Sequence, residues 1–178
     1  MVYKVLGLMS GSSLNGLDIA YIDFQETAGK WTYEITASEC IPYPEEWINK
    51  LKAATGLSAR DYQLLHTDYG AYIADKINAF INKYSLEHKV HLAAVHGHTT
   101  FHMPERRMTA QLGDGAAIAA LTELPVVTEL RALDIAFGGQ GAPLVPIGEK
   151  LLFAEYDLFL NLGGIANISG RINEDYIA

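Results

Sequence analysis

The strongest constraint on the fold is a polar insertion between two apolar runs near the N-terminus. Residues 3–9 and 17–24 are strand-like, and between them stands only Ser10-Gly11-Ser12-Ser13-Leu14-Asn15-Gly16. Two apolar runs so close together, bracketing a turn rich in glycine and hydroxyl groups, predict a β-hairpin. A third strand is expected over 31–41, stopped by Pro42 and Pro44 before a helix that begins near Glu45. The chain therefore opens β-β-β.

The periodicity then changes. Tyr62, Leu65, Tyr69, Tyr72, Ile73, Ile77, Phe80 and Ile81 recur at steps of three and four, which predicts a long helix over 59–84 capped by Ser58. That stripe reads as core. A strand over 90–95 ends in a histidine-rich turn, a helix runs from Asp114 to Thr122, and 125–128 and 156–162 are further strands. Gly163-Gly164 reads as a tight turn into another strand over 165–168. Strands alternating with helices imply parallel pairing after the antiparallel opening. The expected fold is an α/β domain with a mixed sheet covered by helices, the pattern of ribonuclease H-like, actin-like ATPase domains.

Composition narrows the class. With 49% hydrophobic and 19% charged residues, a chain of 178 residues can build one sizeable core. A formal charge of −8 argues against a nucleic-acid partner, which would ask for a basic face. No run approaches the roughly 18 apolar residues that span a bilayer, so a cytoplasmic chain without a membrane partner is expected. Cys40 is the only cysteine, which leaves no internal disulfide, and it reads as small core filler. Asn167-Ile168-Ser169 matches a glycosylation acceptor, a match without weight in a chain lacking a secretion signal.

Three segments carry chemistry. The first, Gly11, Ser12, Ser13, Leu14, Asn15, Gly16, Leu17 and Asp18, offers backbone that can approach an anion and hydroxyls that can donate to phosphate oxygens. It is neither GxGxxG nor a Walker A loop, and without the Walker lysine a bound nucleotide would be neutralised by amides and a metal ion. Taken alone, a plain hairpin turn explains it equally well. The second, residues 131–146, has the glycines and prolines of a shaped loop, with Arg131 and Asp134 three apart. Asp134 suits a general base and Arg131 a grip on an oxyanion, or the two form a salt bridge that braces the loop. The third is the Gly163-Gly164 hairpin, which suits backbone contact with phosphate or is simply a turn. His96, His98 and His102 have no acidic neighbour to complete a metal set, so no metal ligand is assigned, and His98 and Thr99 suit hydrogen bonds to a sugar. Gln111, Gly113 and Asp114 line the same cleft or cap the next helix.

In this order, GLMSGSSLNGLDIA, VHGHTTFHMPE, QLGDGAAIA, RALDIAFGGQGAPLVP and LNLGGIANIS resemble the anhydro-N-acetylmuramic acid kinase family. The resemblance implies a two-domain, actin-like sugar kinase in which ATP, Mg2+ and an amino sugar meet in the cleft between domains. It places residues 1–178 as the N-terminal domain, with the second domain absent from this chain. It implies water opening of the 1,6-anhydro ring and phosphorylation of the freed O6, in peptidoglycan recycling. Asp134 would activate the water, residues 11–18 with Gly163 and Gly164 would meet phosphate, and His98, Thr99 and Arg131 would face the sugar. Ser12 and Asn15 stand where the family's SGTSLDG has threonine and aspartate. A degenerate sugar- or nucleotide-binding module is the alternative reading, and homodimerisation is left open.

Overall fold

The computed structural model describes residues 1–162, 166–172 and 175–177. The hairpin is present: β1 (Val2–Ser10) pairs antiparallel with β2 (Leu17–Thr27), and β2 with β3 (Lys30–Ile41). Two helices follow, α1 (Glu45–Ala53) and α2 (Ala59–Tyr84), before β4 (Leu92–Met103) returns parallel to β1. Then come β5 (Met108–Leu112), α3 (Gly115–Thr122), β6 (Val126–Val127), α4 (Ala132–Ala136) and α5 (Pro146–Leu152). The path β3-β2-β1-β4-β5, with β6 beside β4, makes one mixed sheet. Strands β7 (Leu158–Leu162), β8 (Ala166–Ile172) and β9 (Asp175–Ile177) form a second, antiparallel sheet.

Alternation along the strands selects the buried face. Leu6 and Leu8 of β1, Leu17, Ile19 and Tyr21 of β2, and Ala93 and Val95 of β4 point into one core with Leu65, Tyr69, Ile73, Ile77 and Phe80 of α2. The three- and four-residue stripe of α2 is therefore core, as its spacing demands. Ile73 and Ile77 are fully buried, each contributing about 2–3 kcal/mol of transfer free energy. Ser58 caps α2, its Oγ accepting from Asp61 N at 3.1 Å. The helix ends where Ser85 turns left-handed at φ 53° and Leu86 folds its amide back to Ile81 O.

Two close approaches set the register of the layers. Gly70 of α2 lies so near the β5–α3 junction that a Cβ would stand 2.7 Å from Asp114 O, which is why the helix carries no side chain there. Asp114 caps α3 by accepting from Ala116 N at 2.8 Å, so of the two readings of this residue the capping one describes its contacts. Asp114→Ala should cost about 1 kcal/mol in urea unfolding, the ordinary value of an N-cap; an unchanged midpoint would contradict that role.

The structure corrects several expectations. Residues 96–102 are not a turn: β4 runs through them because Gly97 takes φ +73° and absorbs an extra residue, while β5 supplies a partner from His98 to Met103. Residues 131–146 are not wholly loop, since α4 starts at Ala132 and α5 at Pro146, where proline's fixed φ suits a first helical turn. Cys40 is exposed rather than core filler, because it sits near the end of edge strand β3 on the face away from α2. The strand expected over 156–162 begins at Leu158.

Candidate active site

The tip of the β1–β2 hairpin is pinned rather than free. Leu14, with φ 53°, drops its side chain into the core, and its amide bonds Gly11 O at 3.2 Å. Gly16 passes so close to β3 that a Cβ would lie 2.6 Å from Ile41 O. Between these anchors Gly11 is half-buried, while Ser12, Ser13 and Asn15 are exposed. Ser13 donates to Asn15 Oδ1 at 2.6 Å. An aspartate could accept the same bond, so the asparagine keeps the loop's internal tie while removing a negative charge.

A cavity of about 320 Å³ opens above this hairpin, and three distant stretches of sequence line it: Ser10, Gly11 and Ser12; His96, Thr99 and His102; and Arg131. Among the described residues of that lining, Arg131 is the only permanently charged side chain. Its Nε donates to His96 Nε2 at 2.9 Å and its Nη1 donates to Gly141 O. Thr99 Oγ1 accepts from Gln111 Nε2 at 3.4 Å. Burial lowers the Arg131 pKa from its ordinary value.

Asp134 lies one turn from Arg131 on α4, exposed, and faces a neighbouring cavity of about 530 Å³ with Gly139, Gln140 and Gly141. Ala142 borders both spaces. Asp134 Oδ2 accepts from Gly141 N at 2.7 Å. Arg131 and Asp134 thus hold the two backbone groups of one residue, the carbonyl and the amide of Gly141. They do not pair with each other among the described ion pairs. Gly141 has φ +62°, and a Cβ there would come within 2.7 Å of Ile135, so glycine is required.

The remaining residues singled out in the sequence divide. His98 is buried beneath the cavity, not on its lining: its Nδ1 lies 3.1 Å from Ser10 Oγ, which accepts from Tyr43 at 2.9 Å, and Tyr43 meets Tyr69 at 2.5 Å. Burial pushes the Tyr69 hydroxyl well above its ordinary pKa and Tyr72 up to about 12, so this tyrosine cluster stays neutral. Leu17 is core, and Asp18 is exposed on a second flank, in a space of about 720 Å³ shared with Cys40, Met9 and His96. Asp18 is the largest influence raising the Cys40 pKa. Gly163 and Gly164 lie outside the described residues, though the strands on either side pair with Asn161 opposite Asn167. The buried Ser10–Tyr43–Tyr69 chain was not visible in the sequence. Tyr43 sits between two prolines and carries no periodic signal.

His96 and His98 are both held below the ordinary histidine pKa, by burial first, and then by the Arg131 charge at His96 and by His96 at His98. Each is favoured neutral in the native state and protonates more readily when unfolded. Their contribution is therefore complete above about pH 6.5 and is lost as pH falls from there toward their native values, by up to about 1.4 kcal/mol per pH unit for each group. Urea midpoints compared at pH 7.5 and 5.5 should fall more in the wild type than in a His96→Gln, His98→Gln double variant; equal falls would refute the assignment.

The family model for anhydro-N-acetylmuramic acid kinase matches residues 3–175. The chain belongs to the anhydro-N-acetylmuramic acid kinase family. The family member of Paramagnetospirillum magneticum is 36% identical over 168 residues, which are 92% of this chain and 46% of that protein. The Brucella canis member is 34% identical over 97% of this chain and 50% of its own length. The Haemophilus influenzae member is 35% identical over 92% and 44%. The chain thus spans about half the length of the curated relatives it matches. No helix among the described residues is long and apolar enough to cross a membrane.

Proposed function

We propose that this chain is the phosphate-gripping, N-terminal half of an ATP-dependent kinase for 1,6-anhydro-N-acetylmuramic acid, acting in peptidoglycan recycling. Its mixed sheet is read as the first domain of an actin-like pair, with the other wall of the cleft supplied by the second domain of the family. One observation supports the reading above the rest. The hairpin loop, the β4 histidine segment and Arg131, drawn from residues 10 to 131 of the sequence, line a single cavity.

In this reading Gly11, Ser12 and Ser13 present amides and hydroxyls to phosphate oxygens, on a loop already fixed by Leu14. Thr99 and Arg131 orient the sugar, while His98 supports the floor from below. Asp134 takes a proton from the attacking water as its oxygen bonds to C1 and the C1–O6 bond breaks. The freed O6 then takes the γ-phosphoryl group, and ADP leaves. Mg2+ would supply charge neutralisation at the phosphates. Such an ion takes one or two carboxylates and phosphate oxygens, and the exposed Asp18, directly after the loop, fits that donor set.

The test is ADP release with Mg-ATP by the purified chain, alone and together with the C-terminal half of the Paramagnetospirillum magneticum relative. Turnover with 1,6-anhydro-N-acetylmuramic acid, and none with N-acetylglucosamine or without sugar, is expected once both halves are present. Binding of the anhydro sugar with no turnover in the combined sample would instead identify a non-catalytic binding module, a reading that the lost charge at Asn15 favours.

A further inference from the structure

Arg131 is gripped on two sides, and only one of its partners can change state. Its Nη1 meets the Gly141 carbonyl, which never titrates; its Nε donates to His96 Nε2 at 2.9 Å. The other imidazole nitrogen, Nδ1, lies 2.9 Å from Gly97 O. A guanidinium only donates and a carbonyl oxygen only accepts, so both contacts are made at once by a single species: neutral imidazole with its hydrogen on Nδ1. The buried neighbour two residues on has no such constraint. Nδ1 of His98 meets Ser10 Oγ, which accepts from Tyr43 and can still donate to the ring or accept from it.

We propose that His96 is the positioning residue of this site: neutral, it holds the Arg131 side chain against the cavity wall, and on protonation it releases it. A proton on Nε2 would set an N–H against the Arg131 N–H and a cation against a cation. The charged and titratable groups around His96 favour such a switch. Arg131 approaches from the N-cap position of α4; His98 and His102 stand on the same strand; Asp18 of β2 and Glu39 and Cys40 of β3 line the adjoining space. None of the carboxylates is bonded to the ring, so none would hold the imidazolium in place. Burial and the guanidinium already disfavour that form. What Arg131 meets in the cavity rests on the kinase reading, whereas the coupling between the two side chains is a property of this chain alone.

The experiment is nitrogen-15 NMR on the labelled chain. His96 should show the Nδ1–H pattern at pH 7.5, and the Arg131 Nε–H resonance should move on acidification along the same curve as the His96 ring. In His96→Gln, which keeps an acceptor but cannot titrate, the Arg131 signal should become independent of pH between 7.5 and 5. In His98→Gln the curve should persist. Arg131→Gln supplies a second route: the His96 midpoint should rise once the cation is gone. An Nε2–H pattern at His96, an Arg131 titration that survives in His96→Gln, or an unmoved midpoint in Arg131→Gln would each overturn the proposal. Any of these failures leaves the ADP-release result untouched, and a failure to release ADP leaves the NMR coupling untouched.

Discussion

Asp134→Asn in the two-half kinase proposed above should lower phosphotransfer by about 10²–10⁴-fold while sugar binding remains measurable, the loss expected if the proposed general base is removed. The geometry makes this substitution a clean one. Asp134 Oδ2 accepts from Gly141 N at 2.7 Å, and an asparagine oxygen can accept the same bond, so the loop over 139–142 keeps its tie to α4. The carboxylate also fills the space where a side chain at Gly139 would go, a Cβ there falling 2.2 Å from Asp134 Oδ2, and the amide is nearly isosteric. The change removes the capacity to take a proton and little else. Turnover at the wild-type rate would strip Asp134 of the role; loss of sugar binding along with turnover would show that it holds the substrate instead.

The second large effect falls on stability. Gly97→Ala should cost about 2–4 kcal/mol in urea unfolding, because two penalties add. A residue with a Cβ at φ +73° pays about 1–2 kcal/mol in backbone strain. The methyl group would also stand 2.4 Å from Leu112 O, a backbone atom of the paired strand that cannot swing aside. To accommodate it, β4 and β5 must part at the point where His96 and His98 are presented to opposite sides of the sheet. A cost under 0.5 kcal/mol would mean that the bulge relaxes freely and that the histidines are not fixed by it.

The parts of the fold legible in the sequence were those set by local rules. The hairpin, the α2 stripe and the Ser58 and Asp114 caps all follow from periodicity or from a side chain that serves its own backbone, and each stands where its residues put it. The β4 extension did not, because a strand through His96-Gly97-His98 depends on a partner, and Met108–Leu112 alternates over too few residues to advertise itself. Helix α4 was hidden for a similar reason: five residues ahead of a glycine pair have no period to read, and its place is fixed by Ile135, which is almost fully buried. The candidate site was legible as motifs but not as geometry. Nothing in the spacing of Arg131 and Asp134 tells that they brace the same loop residue, Gly141, yet face different spaces, or that His98 looks down to a tyrosine chain while His96 looks up to an arginine.

Leu14 carries one more consequence. Ligand-binding loops are usually among the first parts of a protein to breathe, yet the tip of this hairpin, proposed above to meet phosphate, is a side chain of the main core. Opening it means withdrawing that side chain, so backbone deuteration of Leu14 and Gly16 should track global denaturation rather than local fraying. The loop would then meet its ligand already in shape, with the ordering cost met during folding rather than at each encounter.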